Sequence, residues 1–143
     1  MDEKLSKVGI GVMIFREAEI LLSKRRGSPG HGDGDYAFPG GHLEYMESFE
    51  DCARCETTEE CGMEIENIRF VCVGNMQRFP PRHYVHIGMV ADWKNGEPRV
   101  LEPDRTEAWN WYALNELPHP IFEPTRMAIE CYKDGKNYYG VVR

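Results

Sequence analysis

Apolar positions run almost unbroken from Lys7 to Phe15 (KVGIGVMIF). A short apolar, β-rich run bounded by turn residues is the pattern of a strand. Arg16-Glu17-Ala18-Glu19 predicts a turn and Ile20-Leu21-Leu22 a second short strand, so the two suggest a hairpin that ends at Lys24-Arg25-Arg26. From Gly27 to Asp35 (GSPGHGDGD) the apolar pattern stops, and four glycines with a proline predict a loop able to approach a ligand closely. Tyr36-Ala37-Phe38 is a short extended piece that leads into a Pro39-Gly40-Gly41 turn.

A helix is predicted over Ser48 to Cys61. Ser48 and Asp51 fit a capping box with Asp in the place of Glu, and Gly62 stands where a left-handed C-terminal residue is wanted. Ile65 to Met76 contains a strand, Arg78-Phe79-Pro80-Pro81-Arg82 breaks it, and His83 to Asp92 (HYVHIGMVAD) is the next strand. On that strand His83 and His86 are an odd number apart and face opposite sides, so they are not a ligand pair. Lys94 to Pro98 is a turn and Glu102 to Glu107 an acidic loop. Ala108 to Tyr112 is a strand with Trp109 and Trp111 on one side, both read as core or interface aromatics. A second helix runs from Glu123 to Lys133, with Pro124 near its first turn. The tail from Gly135 to Arg143 is a final strand or a loose end. Two helices among several hairpin-like pairs imply an α+β fold, a mixed sheet covered by helices.

The first helix carries the chemistry. At about 3.6 residues per turn, Glu60 lies near +40° from Glu56 and Glu59 near −60°, so the three share an arc of roughly 100°. Glu47, just ahead of the cap, can fold back toward the same end, and a Gly-Gly loop can expose a carbonyl. Carboxylates so placed repel one another unless a cation favours them. Oxygen-only ligation suits Mg²⁺, with Mn²⁺ as a substitute, and the usual work of such an ion is to bridge substrate phosphates.

The bulk properties narrow the setting. At 143 residues one domain is expected over 1–143. A formal net charge of −7 argues against a polymeric nucleic-acid partner, though not against a small anion held through a metal. The N-terminus shows no signal-peptide pattern, and no apolar run approaches a membrane span. The cysteines, Cys52, Cys55, Cys61, Cys72 and Cys131, are odd in number. A disulfide framework is therefore not expected, and a cytoplasmic, reducing setting is. Cys52-x-x-Cys55 lacks a second pair and a well-spaced His partner, so zinc ligation is not expected and Cys52 is read as core packing.

Gly41, five residues, Glu47, seven residues and then Cys55-Glu56-Thr57-Thr58-Glu59-Glu60-Cys61-Gly62-Met63 resembles the Nudix box. That pattern is Gly, five residues, Glu, seven residues, Arg-Glu, an apolar residue, any residue, Glu-Glu, any residue, Gly, an apolar residue. Pro39-Gly40-Gly41-His42-Leu43-Glu44 before it and Glu107 to Trp111 after it are similar to the small MutT-type nucleotide diphosphatases. The likeness covers about Lys7 to Tyr132. It implies an α/β/α sandwich and metal-dependent hydrolysis of a diphosphate linkage. A nucleoside triphosphate cut to the monophosphate and pyrophosphate comes first, with nucleotide-pool sanitation as a role. Nucleotide sugars, dinucleoside polyphosphates and prenyl diphosphates are the alternatives, and a non-hydrolysing nucleotide-binding domain ranks last.

By motif position, Glu56, Glu59 and Glu60 would be metal ligands, with the Gly41 carbonyl joining them, and Glu47 would position the site. The proton acceptor stays open among Glu56, Glu59 and the loop carboxylates Glu102, Asp104 and Glu107. Dimers are common among similar enzymes, so a homodimer is an expectation of the resemblance. Two positions depart from the pattern. Thr57 replaces an aliphatic residue. Cys55 replaces an arginine that would steady the glutamates, and Arg54, near 160°, points away from them. For the substrate side, Arg25 shares a strand face with Ser23 and is the choice for a phosphate clamp. His42, after the Gly-Gly turn, is the choice for lining the cleft, with a surface position as its alternative, and Phe38 and Phe122 are the choices for stacking on a base, with core packing as theirs.

Overall fold

The computed structural model describes residues 4–143. Strands β1 (Lys7–Arg16), β2 (Glu19–Arg25), β3 (Tyr36–Ala37) and β4 (Gly40–His42) precede helix α1 (Phe49–Cys61). After it come β5 (Glu64–Met76), β6 (Tyr84–Asn95), β7 (Thr106–Ala113), helix α2 (Glu123–Asp134) and β8 (Tyr138–Val142). One mixed sheet has the order β3-β2-β1-β6-β5-β8, with β4 added on β1 and β7 on β2. β1 runs parallel to β6 from Lys7↔Tyr84 to Phe15↔Asp92, β5 is antiparallel to β6, and β5 is parallel to β8.

Side-chain alternation along β1 sends the apolar run to both faces of the sheet. Ile10, Val12 and Ile14 join Leu21, Ile87 and Met89 against Cys52, Ala53 and Cys61 of α1. Met13 joins Ile20, Leu22 and Val90 against Met127, Ala128 and Cys131 of α2. Each helix therefore covers one face, which makes the α/β/α sandwich. Burying a Leu, Ile or Met side chain stabilises by about 1.5–3 kcal/mol, so these two layers fix the frame that holds the site.

The ends of α1 follow its sequence signals. Ser48 Oγ accepts from the Asp51 backbone N–H at 3.0 Å, and Gly62 takes the left-handed conformation at φ 71°. The Asp51 carboxylate pairs with Arg54 at 3.4 Å, so its charge is spent there rather than on a return bond to the cap. Four expectations need correction. β2 extends to Arg25, β6 runs on through Lys94-Asn95, and β7 begins at Thr106 inside the expected acidic loop. The Pro-Gly-Gly segment is not a turn but leads into β4, paired with β1 from Gly9↔His42 to Gly11↔Gly40. A Cβ on Gly40 would stand 2.1 Å from the Ile10 carbonyl oxygen, so glycine permits an unusually close backbone approach.

That pairing opens the site. β1 and β2 are partners only beside their turn, at Phe15↔Ile20 and Arg16↔Glu19. Beyond it they diverge: β1 takes β4, while β2 takes β3 at Ser23↔Ala37 and Lys24↔Tyr36. The gap between them becomes a cavity.

Candidate active site

The cavity has a volume of about 540 Å³, within the range of small-molecule sites. Its two ends differ in chemistry. α1 delivers the acidic end. Glu56 is half-buried and Glu60 is buried, and both line the cavity. The two carboxyl groups lie close enough to act on each other, and Glu60 Oε2 accepts from the Gly40 N–H at 3.1 Å. Burial pushes both above the usual carboxylate range, and the Glu56 charge pushes Glu60 further. Glu102 lines the same end and adds to the repulsion on both. Gly41 lies against Glu56: a Cβ there would meet Glu56 Cδ and Oε1 at 2.4 Å.

This donor set fits a hard cation. Two carboxyl groups pressed together must share a proton or an ion, and a divalent ion satisfies both as anions. Among the described residues no group of three or more His, Cys, Asp or Glu side chains forms a closed cage. An open two-carboxylate seat suits Mg²⁺, which keeps waters and takes substrate phosphate oxygens as its remaining ligands.

The far end is aromatic. The Gly-rich loop carries His31, which stacks on Tyr84 at 5.5 Å and 4° and meets Phe79 and Phe122 edge-on at 4.9 and 5.5 Å. Phe79 and Phe122 are themselves 5.7 Å apart. Gly32 lets the loop close here, because a Cβ on it would stand 2.4 Å from the Phe122 ring. Arg25 places its guanidinium 4.0 Å over Phe122 and donates from Nε and Nη2 to the His31 carbonyl at 3.2 and 2.9 Å. Burial, with Arg25 next in effect, lowers His31 to about 4, so its imidazole is neutral at pH 7. His42 Nε2 is 2.8 Å from the Tyr84 hydroxyl, and burial lowers its pKa as well.

Of the residues chosen from sequence, Arg25, Phe38, Gly41, His42, Glu56, Glu60 and Phe122 all line the cavity. Phe38 is buried beneath it, with its backbone N–H bonded to Thr125 Oγ1 at 3.3 Å. Glu59 stands exposed on the flank of α1, outside the lining. Glu47 also lies outside the lining, and its Oε1 accepts from the Glu44 N–H at 3.0 Å, which braces the loop before α1. Cys55 is exposed, whereas Cys52 is buried. Thr57 is fully buried, with its hydroxyl spent on the Ala53 carbonyl at 2.8 Å, so it packs as an apolar residue would. Sequence reasoning missed His31, Phe79, Tyr84 and Arg82. Their only local signal was an aromatic or basic residue beside a glycine or proline cluster.

Several comparisons bear on this arrangement. A family model described as NUDIX domain matches residues 5–130. The chain is 38% identical to a MutT NUDIX hydrolase from Burkholderia pseudomallei, with a TM-score of 0.81 and coverage of 88% of this chain and 97% of that one. A NUDIX hydrolase from Nitrosomonas europaea, 22% identical with a TM-score of 0.73 over 95% of this chain and 78% of that one, shares the fold. A curated relative from Pseudomonas putida, named NAD-capped RNA hydrolase NudC, is 36% identical over 107 residues. Those residues make up 75% of this chain but 36% of the relative, so the chain spans about a third of the length of the curated relatives it matches.

Proposed function

The chain belongs to the NUDIX domain family, and from that premise we propose that it is a divalent-metal-dependent hydrolase of a phosphoanhydride bond. The substrate we assign is a nucleoside triphosphate, cut to the monophosphate and pyrophosphate. The observation that carries this reading is the polarity of the cavity: paired carboxyls at one end, stacked neutral aromatics at the other. A phosphate chain attached to a flat, uncharged ring matches both ends at once.

Glu56 and Glu60 would hold Mg²⁺ or Mn²⁺, with Glu59 reaching in from the flank and the Gly41 carbonyl beside them. When bound, the ion polarises the phosphoryl oxygens and offsets charge that develops on them. The remaining work falls to this chain's own side chains. Arg82 and Arg105 line the cavity and offset the negative charge of the phosphates, and Arg25 clamps between the phosphate path and the aromatic wall. The proton of the attacking water needs an acceptor. Of the open candidates, Glu56 and Glu102 line the cavity, whereas Glu59, Asp104 and Glu107 do not. With Glu56 committed to the ion, Glu102 is the acceptor we assign. Glu47 positions the entry loop.

The printed name of the Pseudomonas putida relative adds the diphosphate of an NAD-capped RNA end as a second substrate class to be compared. Purified protein with Mg²⁺ or Mn²⁺ is offered nucleoside triphosphates, dinucleotides, NAD-capped RNA, nucleotide sugars and prenyl diphosphates. Pyrophosphate released from triphosphates alone supports the reading. Turnover confined to another arm reassigns the substrate, and absence of turnover in every arm with either metal overturns the hydrolase reading.

A further inference from the structure

One half-buried histidine, His86, lines the cavity without a task in the hydrolysis described above. β1 and β6 are parallel neighbours, with Gly9↔His86 and Gly11↔Gly88 in register. The His86 ring lies across β1 over two glycines. A Cβ on Gly9 would stand 2.9 Å from its Cδ2 and 3.2 Å from its Nε2, and a Cβ on Gly11 would stand 3.2 Å from its Cε1. Gly9, Gly11 and His86 therefore form a shelf: the missing side chains make room for the imidazole, and all three residues line the cavity.

The ring has a defined polarity. Nδ1 is buried and has no hydrogen-bond partner among the described residues. An unpaired buried N–H is rarer and costlier than an unpaired acceptor, so the proton belongs on Nε2. Burial holds His86 at about 3, with His31 and Arg25 adding to the effect, so the imidazole is neutral at working pH. What it offers the cavity is one N–H donor. The donor free to meet a ligand here is therefore that of His86, since Arg25 Nε and Nη2 are spent on the His31 carbonyl.

We propose that His86, seated on the Gly9–Gly11 shelf, is the specificity-determining donor for an oxo-substituted nucleobase stacked against His31, Phe79, Tyr84 and Phe122. This rests on the nucleotide reading above and goes further than it: a carbonyl-bearing ring is accepted, and a ring with an amino group at that edge, a bare sugar phosphate or a prenyl chain is not. A site built to hydrogen-bond one group rejects an analogue that lacks it, because its own polar atoms are then left unpaired.

The test is equilibrium binding in EDTA, by calorimetry, which needs no turnover. Inosine 5′-monophosphate, adenosine 5′-monophosphate and ribose 5-phosphate are compared on the full chain. The expected order is inosine over adenosine nucleotide by about tenfold or more, with ribose 5-phosphate weaker than both. His86→Leu should collapse the inosine-to-adenosine ratio toward one. His86→Gln, whose amide nitrogen can replace the Nε2 donor, should retain most of it. Phe79→Ala, on an outer loop, should weaken both nucleotides while keeping their ratio. Equal binding of the two nucleotides by the wild type overturns the proposal, as does a ratio unchanged in His86→Leu. If His86→Leu does not fold, loss of the ratio in His86→Gln overturns it. Hydrolysis without base selectivity would leave the functional reading standing and remove this one; selective binding without hydrolysis would do the reverse.

Discussion

The contact between Gly41 and Glu56 yields a sharp perturbation, because its neighbour Gly40 serves as an internal control. In Gly41→Ala the new methyl would stand 2.4 Å from Glu56 Cδ and Oε1 and 2.6 Å from Oε2. Ordinary carbon contact begins near 3.4 Å, so the carboxylate must withdraw by about 1 Å. It can do so, since it is the end of a flexible side chain. The rotamer adjustment costs about 0.5–1.5 kcal/mol, and replacing glycine returns about 0.4–1 kcal/mol through the unfolded chain. The net effect on stability is close to zero. The site does not escape so lightly, since a misplacement of about 1 Å in a reacting constellation can lower the rate by roughly 10²-fold. In Gly40→Ala the methyl would instead stand 2.1 Å from the Ile10 carbonyl oxygen and 3.1 Å from Gly11 Cα. Backbone cannot rotate away, so β4 must separate from β1, at a cost of about 2 kcal/mol or more. Thermal melting, kcat/KM and a Mg²⁺ titration on both variants separate the two effects. Gly41→Ala should melt within about 2 °C of wild type, lose activity by roughly 10²-fold and need more Mg²⁺. Gly40→Ala should melt at least about 6 °C lower. Wild-type activity and Mg²⁺ requirement in Gly41→Ala would refute the assignment of Glu56, and equal melting losses in the two variants would refute the steric account.

Three further outcomes follow from the same geometry. Cys55 is exposed, with Glu47, Glu59, Asp51 and Glu56 acting on it; Cys55→Arg should lower the Mg²⁺ concentration for half-maximal activity, and an unchanged metal dependence and rate would count against the idea that this position weakens the site. A ligand that binds only the folded chain raises its melting temperature, so Mg²⁺ should stabilise the wild type but not Glu60→Gln; equal shifts in both would remove Glu60 from the ligand set. His31 is held at about 4 by burial, with Arg25, Arg82 and His42 adding to it, whereas the unfolded side chain protonates near its ordinary 6.5. Between those values the unfolded state binds the extra proton, so the stability contribution is complete above pH about 6.5 and is lost as pH falls toward about 4. A series of melts over that window should fall less steeply in His31→Phe than in wild type, and parallel curves would refute the assignment.

The acidic end of the site was legible in the sequence for a physical reason. Glu56 and Glu60 reach it from one helix, whose spacing is fixed by the chain itself, and the signals that start and stop it, Ser48 and Gly62, act within a few residues. What the helix period could not show was depth. Glu59 shares the arc but lies on its exposed side, and that depends on where the sheet meets α1. The Pro-Gly-Gly segment was misread because a close approach between strands and a turn use the same residue, and the Ile10 carbonyl that decides between them is far away in the chain. The two-sided core was legible in the apolar run of β1, although which residue met which helix was not.

The aromatic end was hidden because no single element makes it. His31 comes from the Gly-rich loop, Phe79 and Tyr84 flank the Pro-Pro break, and Phe122 caps α2. They meet only once β6 has paired in parallel with β1. His83 stands just before β6, with its Nε2 2.7 Å from Asn75 Oδ1, while His86 lies within β6 and lines the cavity. Strand alternation alone does not say which face holds the cavity. That choice lies in the register Gly9↔His86. A slip of one residue along β6 would bring Val85 or Ile87 opposite Gly9 and turn the imidazole to the other face of the sheet. The metal seat and the base shelf therefore depend on different kinds of order. The first needs α1 docked against β4, where Gly40 and Gly41 meet Glu60 and Glu56; the second needs the long-range pairing of β1 with β6. A variant that loosens that pairing without unfolding α1 should lose discrimination among bases before it loses affinity for Mg²⁺.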